Sequence, residues 1–165
     1  LILLVPALIG CNSNSKNKLF KDAIDLGSLG TENFYNAITF ANDNAISGTA
    51  YFYKVEITEK IKFDAEEYKA FSITVYDTKE HYDDFSMPVD IVIYSGDYKK
   101  IPAITFGDYM VKYNGYSQDA IGTTGCGSVL IEGDVNPGIY YFSITPKENL
   151  QFGHYDGWVA DSLGD

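Results

Sequence analysis

The sequence predicts an all-β fold: a jelly-roll-like antiparallel β-sandwich of about eight short strands, preceded by an extended apolar N-terminal segment. Three observations carry that expectation. Apolar and polar residues alternate with period two through several separate runs, which sends successive side chains to opposite faces of a strand. Turn-forming residues interrupt those runs at short intervals. The 14 Tyr and 10 Phe favour strands, where rings pack on a pleated surface.

In order, the chain divides into an apolar segment and polar tether over residues 1–20, a sandwich domain over 21–146 and a C-terminal tail over 147–165. Leu1, Ile2, Leu3, Leu4 and Val5 do not alternate, the pattern of a strand buried on both faces. Pro6 has no N–H to donate, so strand pairing should break there. Residues 12–18 form the polar tether. Residues 22–30 alternate around a glycine and stop at Gly30, a short strand. Residues 31–40 are a strand or an irregular loop, and Asn42, Asp43 and Asn44, followed by Ser47 and Gly48, are turn chemistry.

From Ala50 the strand signal strengthens. Tyr51, Tyr53, Val55 and Ile57 share one face of a half-buried strand, residues 60–63 continue the alternation, and residues 64–70 are a charged loop or a single helical turn. Phe71, Ile73 and Val75 define the next strand, followed by a solvated acidic loop over 77–84. Val89, Ile91 and Ile93 mark the most apolar strand, expected inside a sheet, and Ser95, Gly96 and Asp97 turn the chain. Lys99 and Lys100 fit charged guards of an exposed strand edge. Residues 103–106 and 109–113 are weaker strand candidates, and 114–127 form a long loop with Cys126 near its end. Residues 128–132 and 139–145 are the last strong strands, joined by 133–138, where Asn136, Pro137 and Gly138 are a turn signal. Residues 146–165 lack clear periodicity.

At 165 residues the chain fits one domain with a core of its own. A net charge of −11, from 23 acidic and 12 basic residues, argues against nucleic-acid binding, which needs clustered cations to neutralise phosphates. Acidity suits calcium binding or plain solubility. Cys11 and Cys126 allow one disulfide in an oxidising compartment, or a lipidated Cys11 with a leftover thiol; spacing alone does not choose. The absence of an Asn-x-Ser/Thr sequon disfavours a eukaryotic secreted glycoprotein, so the expected setting is secreted or cell-surface, in a prokaryote.

Two resemblances refine this reading. Residues 1–10 match the apolar core of a signal peptide, and Leu8, Ile9, Gly10 and Cys11 resemble the lipobox of bacterial lipoproteins. That resemblance implies a lipidated Cys11 as mature N-terminus, followed by a polar tether. Residues 23–29, 51–57, 89–94 and 135–144 resemble successive strands of bacterial pre-peptidase C-terminal domains, which are secreted jelly-roll-like sandwiches. The resemblance is clearest in Asp90-Ile91-Val92-Ile93-Tyr94 and in a hairpin at Pro137-Gly138-Ile139-Tyr140-Tyr141. It implies a non-catalytic module of the kind that accompanies secreted enzymes. Pro137 and Gly138 should set a turn, with Tyr140, Phe142 and Ile144 facing the core. The long insert between Tyr94 and Val129 departs from the compact family pattern.

Candidate chemistry is sparse. The two histidines, His81 and His154, lie in no nucleophile motif, so no enzymatic activity is expected. Tyr155 and Trp158, beside His154 and Asp156, are candidates for stacking on a sugar ring, or for packing a tail against the sandwich. Calcium, the one cofactor the composition invites, needs six to eight oxygens. Asp43, Asp83 and Asp84 are candidate donors, with Asn42, Asn44, Asp90 and Asp134 as further contributors, but no Asp-x-Asp-x-Asp-Gly loop gathers them.

The expected function is a non-enzymatic extracellular structural subunit of a cell-surface filament or pilus-like assembly. Residues 1–5 would enter a neighbouring copy as a donor strand. The alternative is a lipid-anchored surface lipoprotein whose sandwich binds carbohydrate or protein. Copies of itself are the expected partners, nucleic acid is not, and a membrane is one only through a lipidated Cys11.

Overall fold

The computed structural model describes residues 17–30, 42–67, 69–77, 88–117, 127–156 and 159–160; of these, 42–44, 76–77, 150–156 and 159–160 are described by their backbone. The elements are β1 (Ile24–Leu29), β2 (Asn42–Ala45), β3 (Tyr51–Ile57), β4 (Ala70–Asp77), β5 (Val89–Tyr94), β6 (Lys100–Ile101), β7 (Ile104–Thr105), β8 (Ser128–Leu130), β9 (Gly138–Pro146), β10 (Leu150–Asp156) and β11 (Val159–Ala160). A 3-10 turn (Phe20–Asp22) and one helix, α1 (Phe106–Asn114), complete them.

The strands form two sheets, so the fold is all-β. The first runs β1-β3-β9-β5-β6; the second runs β2-β10-β4-β8-β7, with β11 also on β4. Pairing is antiparallel except where β1 lies parallel to β3. Without β1, β7 and β11 the orders are β3-β9-β5-β6 and β2-β10-β4-β8, and most chain-consecutive strands switch sheets.

Alternation selects the core correctly. Tyr51, Tyr53, Val55 and Ile57 of β3, Phe71, Ile73 and Val75 of β4, Val89, Ile91 and Ile93 of β5, and Phe142 and Ile144 of β9 meet between the sheets, at 0% to 8% exposure. Tyr140 is half-buried against the same cluster. Each large apolar side chain buried this way contributes about 1.5–3 kcal/mol. Tyr53 stacks on Phe142 at 5.3 Å between ring centroids. The Tyr51 hydroxyl accepts the Ile46 N–H at 2.9 Å, which satisfies that polar tip inside the core.

Several elements differ from the sequence-based expectation, each for a physical reason. Eleven strands are present among the described residues rather than about eight; β2, β6, β7 and β11 have only two to four residues each, too few to show a period. Asn42–Ala45, read as turn chemistry, pairs with β10. Within the stretch read as a tail, β10 lies between β2 and β4 in the second sheet. Its register shifts on both sides of Phe152, and such irregularities interrupt the two-residue period. Residues 109–113 are helical because capping overrides a short apolar pattern. The Thr105 hydroxyl accepts the Asp108 N–H at 3.0 Å at the N-cap, and Gly115, at φ 70°, closes the C-terminus by donating its N–H to the Met110 carbonyl. Residues 60–63 contribute only an isolated bridge, Ile61 with Val135. The Pro137-Gly138 segment is not a hairpin: β8 and β9 belong to different sheets, and residues 131–137 cross between them.

A smaller apolar cluster lies outside the sandwich. Tyr109 of α1 packs with Ala70 and Leu130, flanked by Phe63, Ile104, Phe106 and Met110. The Tyr109 hydroxyl donates to the Ala65 carbonyl at 2.8 Å. Helix α1 therefore covers part of the second sheet's outer face, which is why Leu130 is buried although its neighbour Val129, in the opposite phase, already faces the main core.

Candidate functional site

The outer face of the first sheet should be polar, because the inner phase of its strands already supplies the core. It is aromatic instead. Register aligns Lys54, Tyr141 and Tyr94 in one row across β3, β9 and β5, and Phe52, Ser143 and Val92 in the next. All of these except Ser143 are half-buried.

Phe20 covers this row. Its ring centroid lies 4.5 Å from Phe52, 4.9 Å from Tyr94, 4.7 Å from Tyr98 and 5.7 Å from Tyr141, with edge-on contacts to Tyr94 and Tyr141. Edge-on and tilted arrangements bring a ring's positive rim to its neighbour's negative face. The chain just before it is stitched to β3: Asn17, 3% exposed, donates its side-chain amide to the Phe52 carbonyl at 3.1 Å and accepts the Phe52 N–H on its own carbonyl at 2.7 Å. Two backbone bonds, Asp22 N–H to Leu19 and Ala23 N–H to Phe20, hold the turn that presents the ring. Residues 17–22 are thus an arm fixed on the sheet's outer face.

Tyr98 borders the arm. It sits in the turn between β5 and β6, where the Ser95 N–H donates to the Lys99 carbonyl and the Tyr98 N–H to the Ser95 carbonyl, both at 2.9 Å. Its φ is 64°, a left-handed conformation that costs a residue with a Cβ about 1–2 kcal/mol. Glycine is the usual occupant of such a position. The strain holds a ring that is 50% exposed against Phe20 and, at 5.0 Å, against Tyr141.

Electrostatics frame the face. Lys54 reaches Asp25 of β1 at 2.9 Å. Lys54, then the Gly27 N–H, holds the Asp25 carboxyl below its ordinary range, and Asp25 raises Lys54 in turn. The neighbouring Tyr98 hydroxyl, then burial, pushes the Tyr141 phenol up, so it stays protonated. The surface offers ring faces, phenol hydroxyls and one ion pair. It is suited to packing and stacking.

The sequence-predicted residues are dispersed. Leu1, Ile2, Leu3, Leu4, Val5, Cys11, Cys126, His81, Asp83, Asp84 and Trp158 lie outside the described residues. Asp43 falls in β2 beside β10. In β10, His154, Tyr155 and Asp156 pair with Tyr76, Val75 and Thr74 of β4, which places their backbone along β4 in the second sheet. Two of the proposed calcium contributors are each paired with a lysine: Asp90 with Lys147 at 3.0 Å and Asp134 with Lys60 at 2.7 Å. Among the described residues no group of three or more His, Cys, Asp or Glu is placed to hold a metal ion. Lys99 pairs with Asp97 at 2.6 Å, and Lys100 begins β6, an edge strand of the first sheet.

The aromatic face is what sequence reasoning missed, although the signal was present. Phe52, Tyr94 and Tyr141 occupy the outward phase of strands whose inward phase is already apolar. A strand with large rings in both phases announces that both faces are covered. No family model, curated protein sequence or solved structure matches the chain.

Proposed function

We propose that the protein is a lipid-anchored, surface-displayed β-sandwich with a non-enzymatic binding role, attached through Cys11 and carried on a jelly-roll-like body related to pre-peptidase C-terminal domains. The observation behind this reading is the fixed arm. Asn17 and Phe20 bind the chain to the first sheet, and only residues 12–16 separate Cys11 from that point. Five residues span at most roughly 18 Å when fully extended. An acyl group on Cys11 would hold the sandwich close against a surface in a restricted orientation. The β3-β9-β5-β6 and β2-β10-β4-β8 orders support the jelly-roll-like wrapping. The outward rings of the first sheet support a role in binding carbohydrate or protein.

Mass spectrometry of the mature chain extracted from membranes tests the anchor. A diacylglyceryl group on Cys11 is expected, and an intact bond between Gly10 and Cys11 refutes it.

The filament reading stands second. The position of β1 at the end of its sheet, with β3 as its neighbour, supports strand addition. A donor strand also needs an apolar groove to complete, however, and the inward-facing residues of β3, β4, β5 and β9 are already covered. Deleting residues 1–10 should abolish polymers if residues 1–5 link neighbouring copies; polymers that persist refute donation.

A further inference from the structure

We propose that the outward side of the arm, Lys18, Leu19 and Lys21, is a docking surface for an anionic lipid bilayer. The charge distribution is strongly one-sided. Residues 1–21 contain three lysines, Lys16, Lys18 and Lys21, and no acidic residue; from Asp22 onward nine lysines face all 23 acidic residues. A body so acidic is repelled by an anionic membrane at almost every orientation. The arm is where attraction replaces repulsion.

The local structure fixes how these side chains are presented. Phe20 points into the aromatic row and Asn17 into β3, so the two inward groups hold the backbone. Lys18 and Lys21 are exposed, and Leu19 lies between them with 54% of its surface open. An exposed leucine flanked by two lysines matches the depth profile of a bilayer surface, where apolar groups enter the acyl boundary and ammonium groups stay at the phosphates. Asp22 follows directly in sequence, the Lys99–Asp97 pair lies in the turn that carries Tyr98, and the Lys54–Asp25 pair lies at the end of the aromatic row. Both pairs are internally neutralised, which leaves Asp22 as the one opposing charge on the arm itself.

This inference rests on the anchored reading only for how the arm arrives at a membrane; its electrostatics are independent of acylation. The test uses the full chain carrying Cys11→Ser, which cannot be acylated, with vesicles of phosphatidylcholine alone and of phosphatidylcholine mixed with phosphatidylglycerol. Residues 1–10 contribute equally to both, so the ratio of the two partition coefficients isolates charge. Each lysine near an anionic surface is worth roughly a factor of five, and K18Q/K21Q should therefore lower that ratio about 25-fold. Raising salt should lower it as well. K60Q/K62Q, at the far end of β3, should leave the ratio within about twofold. Equal partitioning of the parent chain into both vesicles, or equal losses in the two double variants, overturns the proposal. A free Cys11 in membrane-extracted protein removes the anchor and leaves this surface standing; an acylated Cys11 without lipid preference does the reverse.

Discussion

Replacing Phe20 with alanine tests whether the arm is an independent latch on the sandwich. Truncating a fully buried Phe costs about 3–5 kcal/mol. Phe20 is half-buried but touches four rings at 4.5–5.7 Å, so about 2 kcal/mol is expected, or roughly a 30-fold rise in the open population. The reporter is the Phe52 amide, which donates to the Asn17 carbonyl at 2.7 Å and is freed when the arm lifts. Amide hydrogen exchange should accelerate about 30-fold at Phe52 and at Asp22 and Ala23, while the amides of β9 keep their rates. Unchanged exchange at Phe52 would show that Phe20 does not hold the arm. Equal acceleration throughout β9 would show that arm and sandwich open as one unit, and the latch argument would fail.

Other substitutions probe separate parts of the same account. Tyr98→Gly removes a left-handed strain of about 1–2 kcal/mol along with two ring contacts, whereas Tyr98→Ala loses the contacts and keeps the strain; urea melts should rank Gly above Ala by about 1 kcal/mol, and equal stabilities refute the strain. Thr105→Ala deletes the hydroxyl that caps α1 and should cost about 1 kcal/mol, with loss of near-ultraviolet signal from Tyr109 and Tyr113 as a second readout. Glu132 accepts from Lys112 at 2.5 Å and from Tyr113 at 2.6 Å, and these two, in that order, lower its carboxyl below the ordinary range. Because the folded value lies below the unfolded one, this contribution is fully present above the ordinary Glu range near pH ~4.3 and is lost as pH falls through the lowered folded value. Glu132→Gln should therefore cost under about 1 kcal/mol at neutral pH and flatten the acid limb of a stability-against-pH curve; an unchanged limb would assign that limb to other carboxylates.

The interior of this fold was legible and its coverings were not. Period two located Tyr51, Tyr53, Val55 and Ile57, then Phe71, Ile73 and Val75, and then Val89, Ile91 and Ile93, because one buried face per strand is all that alternation encodes. It was blind to β10, whose register shifts twice, and to α1, whose nine residues are set by Thr105 and Gly115 rather than by a long apolar stripe. The Asn136-Pro137-Gly138 chemistry specifies a local turn, and the hairpin that the family resemblance implies there does not form, because whether the flanking strands share a sheet depends on contacts far along the chain. The aromatic face failed to register for a related reason. Phe52 and Tyr141 look like ordinary strand residues until the register sets Tyr141 beside Tyr94 and Phe52 in the adjacent row, 6.3 Å from the Tyr94 ring, and Phe20 lies in a segment that reads as tether.

Both outer faces of the sandwich are therefore covered in part, but by elements secured very differently. Over the second sheet, α1 is held by its own ladder, by Tyr109 on the Ala65 carbonyl, and by Lys112 and Tyr113 on Glu132. Over the first, the arm has a single 3-10 turn, two bonds from Asn17 to Phe52 and one inserted ring. A short turn without a ladder adds little stability of its own, so the arm depends on the aromatic row beneath it. It is the cover expected to open first. Its opening would uncover Phe52, Tyr94 and Tyr141 together, and at the same time move the first point at which the described chain is held on the sandwich from Asn17 to β1. Exposure of the rings and release of the arm are consequently one event, and a ligand that competes with Phe20 for the aromatic row would also free residues 17–22 from the sheet.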